Sequence, residues 1–215
     1  GQIGVITNMD GKGTRWSRPE LLEVDGEPFR IMAGSNGSIQ GPAEAKWGYT
    51  TFSVADWDGD GRDDFIVNSI KAALMLLKNT ESGFTRQPLP FWTQKKPPGF
   101  YWRQTSAENL QTQWRTTPFA ADFDQDGQLD LVILDQEGYL TCQSRSSTES
   151  RIFIDEDNKL IRLNARTAGS SGRYKLDIVD WDQDGRLDIL FENGNYLSNG
   201  AYLVTSNPGQ QVAPP

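Results

Sequence analysis

The sequence predicts an all-β protein assembled from repeated units of antiparallel strands. An aspartate-rich segment recurs three times in the 215 residues, and short apolar runs rich in β-branched and aromatic residues precede and follow each copy. Helical periodicity is weak; the segment that shows most of it, Ser106–Trp114, is expected to form a short helix or a loop.

The repeated segment has a fixed spacing of aspartates. Its copies read DWDGDGRDDFIV from Asp56, DFDQDGQLDLVI from Asp122 and DWDQDGRLDILF from Asp180. All three fit Asp-x-Asp-x-Asp-Gly-x-x-Asp followed by three apolar residues. Each fixed residue is expected by chance at about one position in twenty, so three matches to the whole pattern in one chain do not arise by chance. The segment is therefore an internal repeat.

This spacing is typical of a calcium-binding loop. Aspartates at positions 1, 3 and 5 place three carboxylates on one side of a tight turn, position 7 offers its backbone carbonyl, and the aspartate at position 9 closes the cage. Glycine at position 6 allows the sharp bend. The predicted ligands of three Ca²⁺ ions are Asp56, Asp58, Asp60, Arg62 and Asp64, then Asp122, Asp124, Asp126, Gln128 and Asp130, then Asp180, Asp182, Asp184, Arg186 and Asp188.

Other interpretations of the loop fit less well. An EF-hand needs a glutamate at position 12, where this chain has Val67, Ile133 and Phe191, and it is flanked by helices. Magnesium prefers a strict octahedron and keeps its waters. An acidic, solvated turn without metal is the remaining alternative.

The charge balance supports bound metal and narrows the partners. The chain has 21 Lys+Arg against 29 Asp+Glu, a net charge of −8, and three Ca²⁺ would reduce it to about −2. This balance predicts no nucleic-acid partner, and no apolar run reaches membrane-spanning length. Cys142 cannot form an internal disulfide, whereas calcium loops fill readily outside the cell, so we expect an extracellular, periplasmic or cell-surface protein.

The repeat extends beyond the loop. A second apolar strand follows each loop strand, at Ala72–Asn79, Gly138–Ser144 and Ala201–Asn207, and further extended stretches follow glycine turns. Four antiparallel strands in about 60 residues predict one blade of a β-propeller, because such a meander cannot bury both faces alone. A β-helix has a shorter period, and a row of sandwiches needs longer repeats.

The predicted organisation is a single, partial propeller of about three and a half blades. The expected segments are a partial blade at 1–30, a blade at about 45–90, an insertion at 90–114, a blade at about 115–165 and a partial blade at 172–207. The insertion is either a binding loop or a plug between blades. Gly1 is not a natural start, so we expect a segment of a larger propeller. Its remaining blades come from further sequence or the segment stays an open arc, and closure between the chain's own ends is a further alternative.

The three loops and their flanking strands resemble the calcium-binding repeats of integrin-α-type propellers, called FG-GAP or VCBS repeats. The flanks SIQGPAEAKWGYTTFSVADWDGDG and WRTTPFAADFDQDGQLDLVILDQEGYL are more similar to secreted bacterial propellers of polysaccharide lyases and glycoside hydrolases. The resemblance covers roughly residues 45–207. It implies the fold and calcium binding more strongly than it implies a function. The expected function is a carbohydrate-active segment acting on acidic, uronate-containing polysaccharide; the alternative is a non-catalytic, integrin-like adhesion propeller.

A ligand face is predicted opposite the calcium loops, where the strand entering each loop begins. Seven residues before each first aspartate stand Tyr49, Arg115 and Arg173, with Trp47, Trp114 and Tyr174 beside them. Trp47, Trp114 and Arg115 are expected to bind an acidic polysaccharide or oligosaccharide. With no histidine in the chain, the catalytic candidates are Tyr49 or Tyr174 as base and Arg115 or Arg173 as the partner of a uronate carboxylate. The alternative is that these residues only pack and pair between blades.

Overall fold

The structure, a computed structural model, describes residues 1–34, 42–89, 112–123, 125–135, 138–143, 150–154, 156–163, 174–193 and 200–204. The strands are β1 (Gly4–Val5), β2 (Glu20–Leu21), β3 (Glu23–Val24), β4 (Glu27–Pro28), β5 (Thr51–Ala55), β6 (Asp64–Asn68), β7 (Met75–Thr80), β8 (Gly83–Pro88), β9 (Phe119–Ala121), β10 (Asp130–Leu134), β11 (Leu140–Gln143), β12 (Ser150–Ile152), β13 (Lys175–Val179), β14 (Asp188–Asn193) and β15 (Gly200–Val204). A 3-10 helix spans Pro42–Lys46. The described ranges contain no α-helix, which confirms the all-β prediction, and none of their helical segments is long and apolar enough to cross a membrane.

Three antiparallel sheets follow one another along the chain. Strands β5 to β8, β9 to β12 and β13 to β15 pair in sequence order and form what we call the first, second and third repeat sheets. The strands predicted before and after each aspartate segment are confirmed, and each segment is the turn between the first two strands of its sheet. The possible helix at Ser106–Trp114 lies outside the described residues except for its last three, which are not helical.

The repeat sheets stack face to face because successive side chains of a strand point to opposite faces. In β10, Leu131 and Ile133 belong to the core shared with the first repeat sheet, and Val132 and Leu134 to the core shared with the third. Each sheet is therefore covered by its neighbours in the chain. The first strands of successive sheets, β5, β9 and β13, also lie side by side.

The N-terminal residues cover part of the remaining face of the first repeat sheet. Strand β3 pairs with β4 and joins the outer edge of β8 through one parallel pair, Val24 with Phe84, so that this sheet has six strands. Ile3 and Phe29 pack in the same core as Val67 and Leu77 of that sheet. Strands β1 and β2 form a separate pair.

Apolar side chains remain exposed at both ends of the stack, on what we call the end faces. On the first repeat sheet, Phe52 and Val54 are 39% and 50% exposed, and on the third Trp181 is 53% exposed. Trp57, at the same loop position as Trp181, is only 8% exposed, because it packs between the first and second repeat sheets. The end faces thus expose apolar and aromatic side chains of the kind that are buried where two repeat sheets pack against each other.

Candidate metal centre

The first aspartate of each loop organises the turn. Asp56 accepts hydrogen bonds from the backbone N–H groups of Gly59, Asp60 and Gly61 at 3.0, 3.0 and 2.9 Å. The equivalent N–H groups of Asp126 and Gly127 donate to Asp122, and those of Asp184 and Gly185 donate to Asp180, all at 3.0 Å. These donors fix the orientation of the carboxylate, whose oxygens keep further lone pairs for a cation.

The ninth-position aspartates close the loops from the start of the next strand. Asp64 accepts hydrogen bonds from the backbone N–H groups of Trp57 and Asn79 at 3.2 and 2.7 Å. Asp130 accepts from Phe123 at 3.2 Å, and Asp188 accepts from Trp181 at 2.9 Å. All three aspartates are buried, at 0%, 0% and 1% exposure, so the three loops share one frame around an interior carboxylate.

Among the described residues, carboxylate oxygens converge in the first and the third loop. One oxygen from each of Asp56, Asp58 and Asp60 lies within 4.8 Å of the others, and the same holds for Asp180, Asp182 and Asp188. Oxygens at this spacing can surround one Ca²⁺ at about 2.3–2.6 Å. Asp124 lies outside the described residues, so the second loop is described only through its other aspartates.

Positively charged side chains also enter the loops. The Arg62 guanidinium lies 2.7 Å from Asp60, and that of Arg186 lies 3.8 Å from Asp184. Lys78, which the sequence analysis did not single out, reaches across from β7 to Asp58. Backbone coordination by Arg62, Gln128 and Arg186 stays a prediction.

The loops need two left-handed residues, of which the sequence analysis identified one. The position-6 glycines, Gly61, Gly127 and Gly185, have φ of 85°, 88° and 86°. Position 4 is also left-handed, with φ of 77° at Gly59, 60° at Gln125 and 59° at Gln183. Gly59 in the first loop could have indicated a left-handed residue at position 4. Gln125 and Gln183 occupy this position in the other two loops, so the sequence has no glycine there to indicate it.

Gln125→Gly and Gln183→Gly are each expected to stabilise the fold by roughly 0.5–1 kcal/mol, because a side chain with a Cβ is strained in the left-handed region. Urea unfolding in excess calcium measures the change. Gln128→Gly is the matched control, since the φ of Gln128 is not positive and the added chain entropy should only destabilise. Equal losses in all three variants would contradict the assignment of strain to position 4.

Burial raises the pKa of Asp64, although hydrogen bonds from Asn79 and Trp57 oppose the shift. The metal-free fold therefore holds this proton to higher pH than the unfolded chain does. The protonated Asp64 carboxyl group stabilises the metal-free fold fully below the pKa that Asp64 has in the unfolded chain. This stabilisation is lost as the pH rises through the pKa that Asp64 has in the folded chain. Calcium needs the ionised form, so calcium affinity changes with pH in the opposite sense.

The difference between the melting midpoints in calcium and in chelator should consequently narrow as the pH falls from about 7 toward about 4. Parallel melting series in the two solutions measure this difference. A constant difference over the whole range would show that proton and metal do not compete in the loops.

The structure brings four of the predicted ligand-face residues together. The Arg115 guanidinium carbon lies 3.2 Å from the ring centroid of Tyr49 and 3.8 Å from that of Trp114, and Trp47 meets Tyr49 edge-on at 5.7 Å. Arg115 also donates a hydrogen bond to Glu44 at 2.8 Å. We call these five residues the Arg115 cluster.

Burial decides what the Arg115 cluster can do. Arg115, Trp114 and Glu44 are 6%, 3% and 1% exposed, whereas Trp47 is half exposed. An arginine stacked between two rings and paired with a buried carboxylate has its charge already engaged. This geometry favours the packing role for Arg115 and leaves Trp47 as the accessible aromatic surface. Glu44 was missed because nothing in its local sequence distinguishes it.

The remaining catalytic candidates are placed less favourably. Tyr174 is buried, and its hydroxyl donates a hydrogen bond to the carbonyl of Leu163 at 2.5 Å. Burial raises the pKa of Tyr49, which makes its phenolate scarcer at neutral pH. Arg173 lies outside the described residues.

Comparison with known proteins assigns no family, because no family model matches the chain and no curated protein matches it. The function has to follow from the chemistry of the chain itself. Two features supply that chemistry: the carboxylate frame of the three loops and the Arg115 cluster.

Proposed function

We propose that the chain is a calcium-binding segment of a β-propeller in an exported protein. The observation that carries the proposal is the recurrence of one hydrogen-bonded carboxylate frame at the same turn of three successive sheets. Carboxylates are hard ligands suited to calcium, and the chain has no histidine to attract a transition metal. FG-GAP or VCBS repeats are the family that this combination of loop and sheet supports.

The stacking of the sheets supports the propeller. Antiparallel meanders pack face to face in chain order, and their first strands lie side by side. In a propeller these first strands surround the axis. Further blades of such a ring would pack on the two end faces, and the exposure of Phe52 and Trp181 supports this arrangement.

Calcium stoichiometry tests the metal site. Dialysed protein at millimolar calcium should hold three ions per chain, one for each loop. Asp58→Asn, Asp124→Asn and Asp182→Asn should each remove one, because each takes a charged ligand from a single loop. Asp157→Asn is the control, since this exposed aspartate pairs with Lys159 outside the loops. Binding of fewer than one ion in wild-type protein would overturn the proposal.

The role that we propose for this scaffold is binding an acidic polysaccharide or oligosaccharide. The half-exposed Trp47, packed edge-on against Tyr49, offers a ring face on which a sugar can stack. The engagement of Arg115 and Tyr174 with protein groups favours the non-catalytic alternative over a lyase or glycoside hydrolase.

Titration with acidic oligosaccharides separates these roles. Trp47→Ala should weaken binding at least fivefold while calcium content stays unchanged, and Trp16→Ala, another exposed tryptophan, should not. Unsaturated products or new reducing ends in wild-type protein would instead establish catalysis. If Trp47→Ala binds the oligosaccharides as tightly as Trp16→Ala does, Trp47 does not belong to the ligand face.

A further inference from the structure

Two exposed lysines stand close to the half-exposed Trp47. Lys46 precedes it at the end of the 3-10 helix, and Lys71 lies in the turn that follows β6. Both lysines are exposed, and neither ammonium group has an ion-pair partner among the residues that the structure describes. Their charges are therefore available to a ligand, whereas the charge of Arg115 is already paired with Glu44.

Backbone hydrogen bonds bring these residues to one edge of the first repeat sheet. The N–H group of Ile70 donates to the carbonyl of Gly48 at 2.8 Å. These two residues are the chain neighbours of Lys71 and Trp47. Lys46 and Trp47 come before β5, and Lys71 follows β6, so both segments lie at the end of this hairpin opposite the first aspartate loop. We call Lys46, Trp47 and Lys71 the Trp47 platform.

Arg115 holds the two segments of the Trp47 platform in place. Its guanidinium donates to Glu44 of the 3-10 helix at 2.8 Å, and its backbone N–H group donates to the carbonyl of Ser69 in the turn at 3.1 Å. The backbone is left-handed at Arg115, Tyr49 and Ala72, with φ of 60°, 48° and 54°. Such strain in residues with a Cβ persists where the surrounding structure fixes it, as in ligand clamps. Arg115 is therefore a positioning residue, and the platform is preorganised.

We propose that Lys46 and Lys71 bind the carboxylates of an acidic oligosaccharide whose sugar ring stacks on Trp47. This inference rests on the proposed binding role, and it assigns to two lysines the charge contacts that the sequence predicted for arginines. An ammonium group donates to a carboxylate, and the C–H groups of a sugar ring pack on the face of an indole. Each uronate ring carries a carboxylate, so a chain of uronates can meet both lysines while one ring lies on Trp47.

Titration with glucuronate oligosaccharides and with their methyl esters, which keep the rings and lose the charge, tests the assignment. Calcium-loaded wild-type protein, freed of excess calcium, should bind the acid more tightly than the ester, and high salt should reduce the difference. Lys46→Gln and Lys71→Gln should each weaken binding of the acid about threefold, and the double variant about tenfold, because exposed ion pairs are individually weak. Binding of the ester should stay unchanged in all three variants.

Two controls accompany these variants. Lys12→Gln removes an equal charge from another exposed lysine and should leave binding of the acid unchanged. Trp47→Ala should weaken binding of the acid and of the ester alike. Calcium content and melting midpoints, measured on the same samples, should match those of wild-type protein in every lysine variant.

The outcomes separate this inference from the proposed binding role. Lysine variants that bind the acid like wild type, or that lose acid and ester equally, would overturn the inference while leaving oligosaccharide binding intact. Wild-type protein that binds neither form, nor a galacturonate oligosaccharide, would overturn the binding role as well. The calcium content of the same samples tests the metal sites independently of both.

Discussion

Removing calcium is expected to lower the melting midpoint by roughly 20 °C. Each ion present at a hundred times its dissociation constant stabilises the fold by about 2.7 kcal/mol, so three ions contribute about 8 kcal/mol. In a chain of this size each kcal/mol shifts the midpoint by about 2–4 °C. The physical cause is the burial of Asp64, Asp130 and Asp188, whose charges lose hydration unless a cation replaces it. Calorimetry in excess calcium and in excess chelator measures the difference.

Single-loop variants show whether this stabilisation is divided among the loops. Asp182→Asn should remove about a third of the calcium effect, and Asp157→Asn, outside the loops, should remove none. Magnesium should restore much less of the midpoint than calcium, because it gives up its waters reluctantly. An identical midpoint in calcium and chelator would mean that the loops are solvated turns.

Arg115→Ala is expected to destabilise the fold by about 3–5 kcal/mol, because it leaves Glu44 as a buried carboxylate without its cation. Loss of the packing between Tyr49 and Trp114 adds to the effect. From the sequence alone, the same substitution is expected to weaken ligand binding with little change in melting. The burial of Arg115 and its ion pair with Glu44 reverse that expectation.

A double variant distinguishes the two roles of Arg115. Glu44→Leu combined with Arg115→Met replaces the pair with apolar groups of similar size and should recover most of the stability. Lys159→Ala breaks an exposed pair and should change stability by less than about 0.5 kcal/mol. If Arg115→Ala melts like wild type but loses affinity for acidic oligosaccharides, the arginine belongs to the ligand face instead.

The sequence predicted the parts of the fold that depend on short-range constraints. In the first loop, the bonds from Gly61 to Asp56 and from Trp57 to Asp64 span five and seven residues, so the ligand spacing almost determines the turn. The hairpins on either side follow from the same local alternation of apolar side chains. Prediction of the repeat sheets was therefore possible without any tertiary information.

The parts that the sequence did not predict depend on residues far apart in the chain. Arg115 and Glu44 are 71 residues apart, and neither stands in a motif that requires the other. The parallel pairing of Val24 with Phe84 likewise follows from docking of the N-terminal residues and not from a local pattern. Lys78 reaches Asp58 only because the β6–β7 register places it beside the loop.

The burial of the second repeat sheet on both of its faces also determines how a further repeat could be added to such a chain during evolution. Val132 faces one neighbouring sheet and Leu131 faces the other, so each interface depends on its own set of alternate side chains of the strand. A duplicated unit inserted between two sheets needs only to present one compatible set of side chains on each face. A unit added by gene duplication can therefore use the side-chain contacts that neighbouring sheets already make.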